Sequence, residues 1–335
     1  VLTQMLSRRV LNVQNIAYKE QSFFNISTND PDKIFHQPHI ENCYQQNKLF
    51  FQNIEQSTYL IIDGDGLLGC SHSNALKLLT IAYITKKHCN KPTYIINLSL
   101  SQDRLGHTSF SNNTYIQFFS CLDGISTQDS TSDNFLTQAN ISHNTGFSLI
   151  PLYIENNFPL TSIEKENSIV ISGVHLFNNS TLTNLTKYIK YMSKNGVIVK
   201  LLLNTDSELS NPKVTFLQSL LSTSEKNWEF IFANDVNTWL YTLAQTNLLI
   251  SCQHSDIIAA SYLNTPAITL GASLENINFV HQLDIPSPPF ELTTESLTVQ
   301  LIQKTIKILQ DPCLFLPPKI QLDALKQSSK TILEF

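Results

Sequence analysis

The stretch Leu248-Leu249-Ile250-Ser251-Cys252-Gln253-His254-Ser255-Asp256-Ile257-Ile258-Ala259-Ala260-Ser261-Tyr262-Leu263-Asn264-Thr265-Pro266-Ala267-Ile268-Thr269-Leu270 decides how this chain is read. Three apolar residues fit a strand buried on both faces, an apolar helix runs over Ser255–Tyr262, and Asn264-Thr265-Pro266 turns the chain into a second strand. Such a unit delivers the polar cluster Ser251–Ser255 to the C-terminal end of a parallel strand and the N-terminal end of a helix. Open α/β sheets bind ligands at that place.

The same alternation extends in both directions. Tyr59–Ile62 is a short apolar strand, Asp63-Gly64-Asp65-Gly66 a turn, Ala75–Lys87 a helix with basic residues in its last turn, and Thr93–Ile96 a second strand ending at Asn97-Leu98-Ser99. Tyr115–Phe119 and Leu122–Ile125 are read as continuing the series, with a short helix near Ser132–Gln138. A second series opens at Ser168–Gly173. It continues through a helix ended by Asn195-Gly196, a strand over Val197–Leu203, a helix near Lys213–Leu221, a strand over Trp228–Phe232 and a helix over Val236–Gln245. The predicted fold class is α/β, two Rossmann-like parallel-sheet domains facing across a cleft. The N-terminal domain is expected over residues 1–155, with 1–50 weakly periodic, the C-terminal domain over 165–310, and a closing helix within 311–335.

Composition narrows the function classes. The chain has 335 residues, 42% of them hydrophobic, enough for two cores. Its net charge of −5 with 22 Lys plus Arg lacks the clustered cations that nucleic-acid binding needs. Cys43, Cys70, Cys89, Cys121, Cys252 and Cys313 form no CxxC pair and point to free thiols rather than a zinc site or disulfide framework. The histidines are dispersed, His36 and His39 being the closest pair, so neither a metal nor a cofactor is predicted. No apolar run reaches the roughly 18–20 residues that span a bilayer and no signal segment is visible, so a cytoplasmic protein is expected. The start at Val1 rather than Met reads as numbering that begins inside a longer product or follows removal of a tag.

In the order of these elements, over roughly residues 58–285, the chain resembles the polysaccharide pyruvyl transferase family, which has a GT-B-like pair of α/β domains. The resemblance rests on Asp63-Gly64-Asp65-Gly66 after the first strand, Asn97-Leu98-Ser99 after the second, Gln128-Asp129-Ser130-Thr131-Ser132, and Ser251-Cys252-Gln253-His254 followed by Asn264-Thr265-Pro266. It implies transfer of a group from phosphoenolpyruvate to a glycan or glycoconjugate acceptor. The family's donor-binding arginines correspond here to Gln128 and Cys252, and Leu274-Glu275-Asn276 offers an acid where the family has a lysine. Losing two charge-assisted contacts to one small anion costs about 3–6 kcal/mol, so this departure implies a changed donor or a lost reaction. A nucleotide-sugar donor, as in a GT-B glycosyltransferase, and an inactive member serving in binding are the alternatives.

The candidate site residues follow from these positions. His254, at a helix start, is the candidate general acid or anion contact, against a local capping role. Asp63 and Asp65 are candidates for contacting acceptor hydroxyls or acting as base, against simple turn geometry. Gly64, Gly66, Asn97, Gln128, Ser132, Gly173, His175, Gln253 and Ser255 are expected around donor and substrate. Cys252 has two readings, a thiolate activated by the helix start and His254, or structural burial, and burial is preferred. Arg104 is the candidate substitute anchor, with His72 and His107 nearby. The glycine-containing turn at 63–69 lacks the lysine of a nucleotide P-loop and carries two carboxylates, which argues against that reading.

Overall fold

The computed structural model describes residues 35–64, 72–100, 112–128, 130–146, 148–159, 163–203, 206–222, 227–271, 274–285, 290 and 296–331. The chain divides into two compact units, residues 1–149 with 327–335, and residues 150–326. Asp65, Gly66, Arg104 and His107 lie outside the described residues.

In the first unit, strands β1 (Leu60–Asp63), β2 (Thr93–Leu98), β3 (Gly124–Thr127) and β4 (Asn144–Thr145) form a parallel sheet in sequential order. Leu60 pairs with Thr93 and Tyr94 with Gly124, and the register shifts between Ile95 and Leu98. Helices α1 (Gln37–Gln46) and α2 (Lys48–Glu55) come first, and α3 (His72–Lys87), α4 (Asn112–Phe119) and α5 (Ser130–Gln138) cross over between strands. Residues 115–119 thus belong to a helix. Tyr115, Phe118 and Phe119 recur at i, i+3 and i+4, a helical stripe, and all three are buried in the sheet's core with Ile95 and Leu136. Ile40, Cys43, Phe51 and Ile54 pack a second cluster against Ile81 and Ile84 of α3.

The second unit begins with α6 (Ile150–Asn157) and contains β5 (Ser168–Ser172), α7 (Asn179–Lys194), β6 (Ile198–Leu203), α8 (Pro212–Leu221), β7 (Trp228–Phe232), α9 (Val236–Gln245), β8 (Leu248–Ser251), α10 (His254–Tyr262), β9 (Ala267–Thr269), α11 (Leu274–Gln282) and α12 (Leu297–Gln310). α13 (Lys319–Thr331) closes the described chain. Its sheet is wholly parallel in the order β7-β6-β5-β8-β9. β5 is buried along its whole length, which fits a central strand covered on both faces. The chain runs outward from β5 through β6 and β7, then returns to build β8 and β9 on the other side. That reversal creates a switch point between the C-terminal ends of β5 and β8, where Gly173 and Cys252 sit.

Candidate functional site

At the switch point, Gly173 adopts φ +73°, and a Cβ added there would stand 2.7 Å from the Cys252 sulfur. Only glycine fits both the left-handed backbone and the close approach of the two strand ends. The Cys252 thiol donates weakly to the Gly173 carbonyl at 3.7 Å. Burial, reinforced by the nearby Asp256 charge, pushes this thiol up to about 12. Desolvation favours the neutral thiol, which packs against Gly173 between the ends of β8 and β5.

Asp256, two residues into α10, organises the floor of this site. Its Oδ2 accepts from the Ser172 hydroxyl at 2.5 Å and the Ser251 hydroxyl at 3.0 Å, while Oδ1 accepts from Trp239 Nε1 at 2.8 Å. Burial raises this carboxyl and the three donors pull it back, with burial dominant. The network ties the ends of β5 and β8 and helix α9 to the first turn of α10. Ser251 also accepts from the Gln253 amide at 2.9 Å, which fixes the loop between strand and helix.

The first turn of α10 carries no side-chain cap, since Gln253 at the cap position does not bond to it. By contrast α7, α8 and α9 are capped by Asn178, Asn211 and Asp235. An uncapped first turn leaves backbone N–H groups and the positive end of the helix dipole facing outward from the strand ends. His254 lies in this turn. Its Nδ1 is 3.2 Å from Asn276 Oδ1, its ring meets Phe279 edge-on at 5.1 Å, and the Asn276 amide donates to the Cys252 carbonyl at 2.9 Å. That last bond orients the carboxamide so that its oxygen faces His254. Nδ1 therefore carries the hydrogen, and Nε2 is left for a ligand or a proton transfer. Ser255 follows in the same turn. His175, in the short turn after Gly173, places Nδ1 3.6 Å from Glu208 Oε2.

The remaining predicted residues gather at the strand ends of the first unit. Gly64 is required by close approach, because a Cβ there would lie 2.8 Å from the Leu98 Cα. Asn97 takes φ +61°, donates its backbone N–H to Ser126 Oγ at 3.1 Å and its side-chain amide to Asp63 Oδ1 at 3.5 Å. Its Oδ1 is buried with no hydrogen-bond partner among the described residues. Ser132 is fully buried and accepts from the Leu100 amide at 2.7 Å, which holds the β2 exit. Gln128 is likewise buried, its backbone N–H donating to the Leu98 carbonyl at 3.0 Å.

The structure thus groups His254, Ser255, Gln253, Cys252, Gly173 and His175 at one switch point, and Asp63, Gly64, Asn97, Gln128 and Ser132 at the ends of β1 to β3. Sequence reasoning missed Asp256, Asn276 and Trp239. An acid in the first turn of an otherwise apolar helix was the available signal for Asp256. Among the described residues, no group of His, Cys, Asp and Glu is placed to hold a metal ion, and no helix is long and apolar enough to cross a membrane.

Sequence comparison finds no matching family model and no matching curated protein. Solved structures do match. The UDP-GlcNAc 2-epimerase from Neisseria meningitidis bound to UDP-GlcNAc aligns with TM-score 0.56 at 14% identity, over 88% of this chain and 81% of that one. The S. aureus MnaA–UDP complex aligns with TM-score 0.58 at 14% identity, over 98% of this chain and 86% of that one. The Rickettsia bellii UDP-N-acetylglucosamine 2-epimerase aligns with TM-score 0.56 at 16% identity, over 96% and 86% respectively. The chain therefore has the fold class of two parallel-sheet, Rossmann-like α/β units found in GT-B-like UDP-GlcNAc 2-epimerases.

Proposed function

We propose that this protein binds a nucleotide-sugar and acts on it as a GT-B-type sugar-nucleotide enzyme, with the diphosphate at the uncapped start of α10. The observation that carries this reading is the β5/β8 switch point. There Gly173 clears space, the Asp256 network fixes the helix start, and Asn276 presents His254 with one ring nitrogen free. A diphosphate accepts hydrogen bonds from the first-turn amides, and the helix dipole contributes about 0.3–1 kcal/mol toward an anion at that position. His254 Nε2 donates to a phosphate oxygen when protonated, or delivers a proton to an oxygen leaving the sugar. Support also comes from relatives in fold that hold UDP or UDP-GlcNAc.

The finer pyruvyl transfer reading has less behind it. Residues 172–178 and 251–256 contain no Lys or Arg, and a small multiply charged donor has no fixed cation to meet there. A nucleotide-sugar spreads its contacts over base, ribose and sugar and depends less on such a cation. The same lack of cations favours, as a second reading, a protein that binds the nucleotide-sugar without turning it over.

Thermal unfolding with UDP-GlcNAc, UDP and phosphoenolpyruvate tests the proposal. A ligand at a hundred times its dissociation constant adds about 2.7 kcal/mol to the folded state. UDP and UDP-GlcNAc are expected to raise the melting temperature, phosphoenolpyruvate is not, and His254→Ala is expected to reduce the shift. Stabilisation by phosphoenolpyruvate alone would restore pyruvyl transfer. No response to either uridine nucleotide at millimolar concentration sinks the nucleotide-sugar reading, and binding of UDP-GlcNAc without conversion selects the binding-only protein.

A further inference from the structure

In the first unit the short edge strand β4 is tied to helix α5 by an imidazole whose two nitrogens both face acceptors. His143 Nδ1 lies 2.7 Å from the Ile141 carbonyl oxygen, and Nε2 lies 2.8 Å from Asp133 Oδ1. A carbonyl oxygen has no hydrogen to give. Nor has the carboxylate, whose Oδ1 also accepts from the Thr145 hydroxyl at 2.5 Å. Burial raises this carboxyl, but the Thr145 hydroxyl and the His143 ring outweigh it, so Asp133 is ionised at neutral pH. A neutral imidazole carries one N–H and one bare lone pair. Either neutral tautomer therefore sets a nitrogen lone pair against an oxygen lone pair, at Ile141 or at Asp133. Only the imidazolium, with a hydrogen on each nitrogen, satisfies both contacts.

The surroundings add little charge to this pair. Asp133 is the sole charged residue of α5. His143 also lines a cavity of about 420 Å³ at the entrance to β3 and β4, and Asp123, just before β3, lines the same cavity. The Asp123 carboxylate is taken by Lys86 of α3 at 2.5 Å and by the Thr93 backbone N–H at 2.8 Å. The rest of that lining, from α4, β3 and the turn at Asn140, is uncharged. The His143 side chain is largely buried, so water does not freely replace a partner it loses. What the ring holds is the strand itself. Asn144 and Thr145 pair with Ser126 and Thr127 of β3, and the Gly146 N–H donates to the Thr127 carbonyl at 2.9 Å.

We propose that His143 is a pH-operated latch, which clamps β4 to α5 while both ring nitrogens carry hydrogen and frees β4, with the adjoining cavity wall, when one proton leaves. In that step an N–H bond breaks, its electron pair stays on the nitrogen as a lone pair, and water or a buffer base takes the proton. The ring then keeps either Ile141 or Asp133 as a partner, but not both. Histidine is the side chain that changes charge around neutral pH, which suits it to this task. The clamp stabilises β4 while the ring is charged and loses that contribution as pH rises through the ring's titration. It is lost again in acid, when the depressed Asp133 carboxyl takes up a proton. The latch is therefore closed in a window bounded by Asp133 on the acid side and His143 on the alkaline side.

The test titrates the whole folded chain, with isotopically labelled histidines, from about pH 5 to 9. Long-range nitrogen–proton correlation NMR separates the imidazolium from each neutral tautomer, and the His143 signal is the one that disappears in His143→Gln. Amide hydrogen exchange of Gly146 is read in parallel. The reference is the Leu60 amide, bonded to the Pro92 carbonyl at the opposite edge of the same sheet. The ring is expected as the imidazolium wherever Gly146 is protected. Relative to Leu60, the exchange of Gly146 is expected to rise about fivefold across the ring's own titration, the worth of about one hydrogen bond. In His143→Gln that step is expected to be absent. A neutral tautomer beside a protected Gly146, a Gly146 rate that tracks Leu60 through the titration, or an equal step in His143→Gln overturns the proposal.

Discussion

Asp256 shows how one residue can tie three elements together. Three donors from three different elements end on its carboxylate, and each is buried or half-buried once the chain folds. Replacing it with alanine leaves the Ser172 and Ser251 hydroxyls and the Trp239 indole without their acceptor. Each buried donor left unpaired costs about 1–3 kcal/mol. Asp256→Ala is therefore expected to destabilise the protein by about 3 kcal/mol or more, seen as a lower urea midpoint with an unchanged slope. A loss below about 1 kcal/mol would mean that water replaces the carboxylate and that the network does not fix the helix start. The sequence could not show this role, because Ser172 and Trp239 stand 84 and 17 residues from Asp256. Gly173 was legible as a strand-end glycine, but its contact with the Cys252 sulfur required the pairing of β5 with β8.

At the scale of elements, legibility followed burial. β5, β6 and β8 are covered on both faces, so their apolar runs read directly from the sequence. Helix α6 was hidden because Pro151 and the Asn156-Asn157 pair signal a break. Proline is tolerated in the first turn, however, and Ile150, Leu152, Tyr153 and Ile154 are buried. β4 is two residues long, below what any pattern can reveal. It is held by side chains. Asp133 of α5 accepts from the Thr145 hydroxyl at 2.5 Å and faces His143 Nε2 at 2.8 Å, while His143 Nδ1 faces the Ile141 carbonyl at 2.7 Å. Burial alone would raise Asp133, but the Thr145 hydroxyl and the His143 ring outweigh it and hold the carboxyl below its usual value. A depressed carboxyl stabilises the fold above its unfolded value of about 3.9 and loses that contribution as pH falls through its folded value. Asp133→Asn is expected to cost about 1 kcal/mol or less at pH 7, because the carboxylate is partly exposed. The difference from the parent protein should shrink as pH falls below about 3.9. A difference that persists unchanged at pH 3, measured by urea unfolding, would show that the charge of Asp133 is not what anchors β4.

At the scale of the whole molecule, each unit builds its core from its own residues. The core of the second unit draws on residues from Ile169 to Ile308. Those of the first draw on residues from Phe35 to Ile141 and from Ile40 to Cys89. The second unit also keeps its own closing contacts, since Tyr262 donates to the Leu322 carbonyl at 2.5 Å and Lys326 pairs with Glu155 at 2.5 Å. A segment that holds a parallel sheet and a hydrophobic core of its own meets the requirements for folding alone. Residues 150–326 expressed as a separate chain are therefore expected to unfold in urea as a single cooperative transition. Gly173, Asp256, His254 and Asn276 all lie inside this segment, so the start of α10 should form in it as it does in the full chain. Under the nucleotide-sugar reading, UDP then stabilises the isolated segment. A gradual, non-cooperative loss of structure would mean that the segment needs the rest of the chain. A cooperative fold that ignores UDP while the full chain responds would move the nucleotide's main contacts to the strand ends around Asp63 and Asn97.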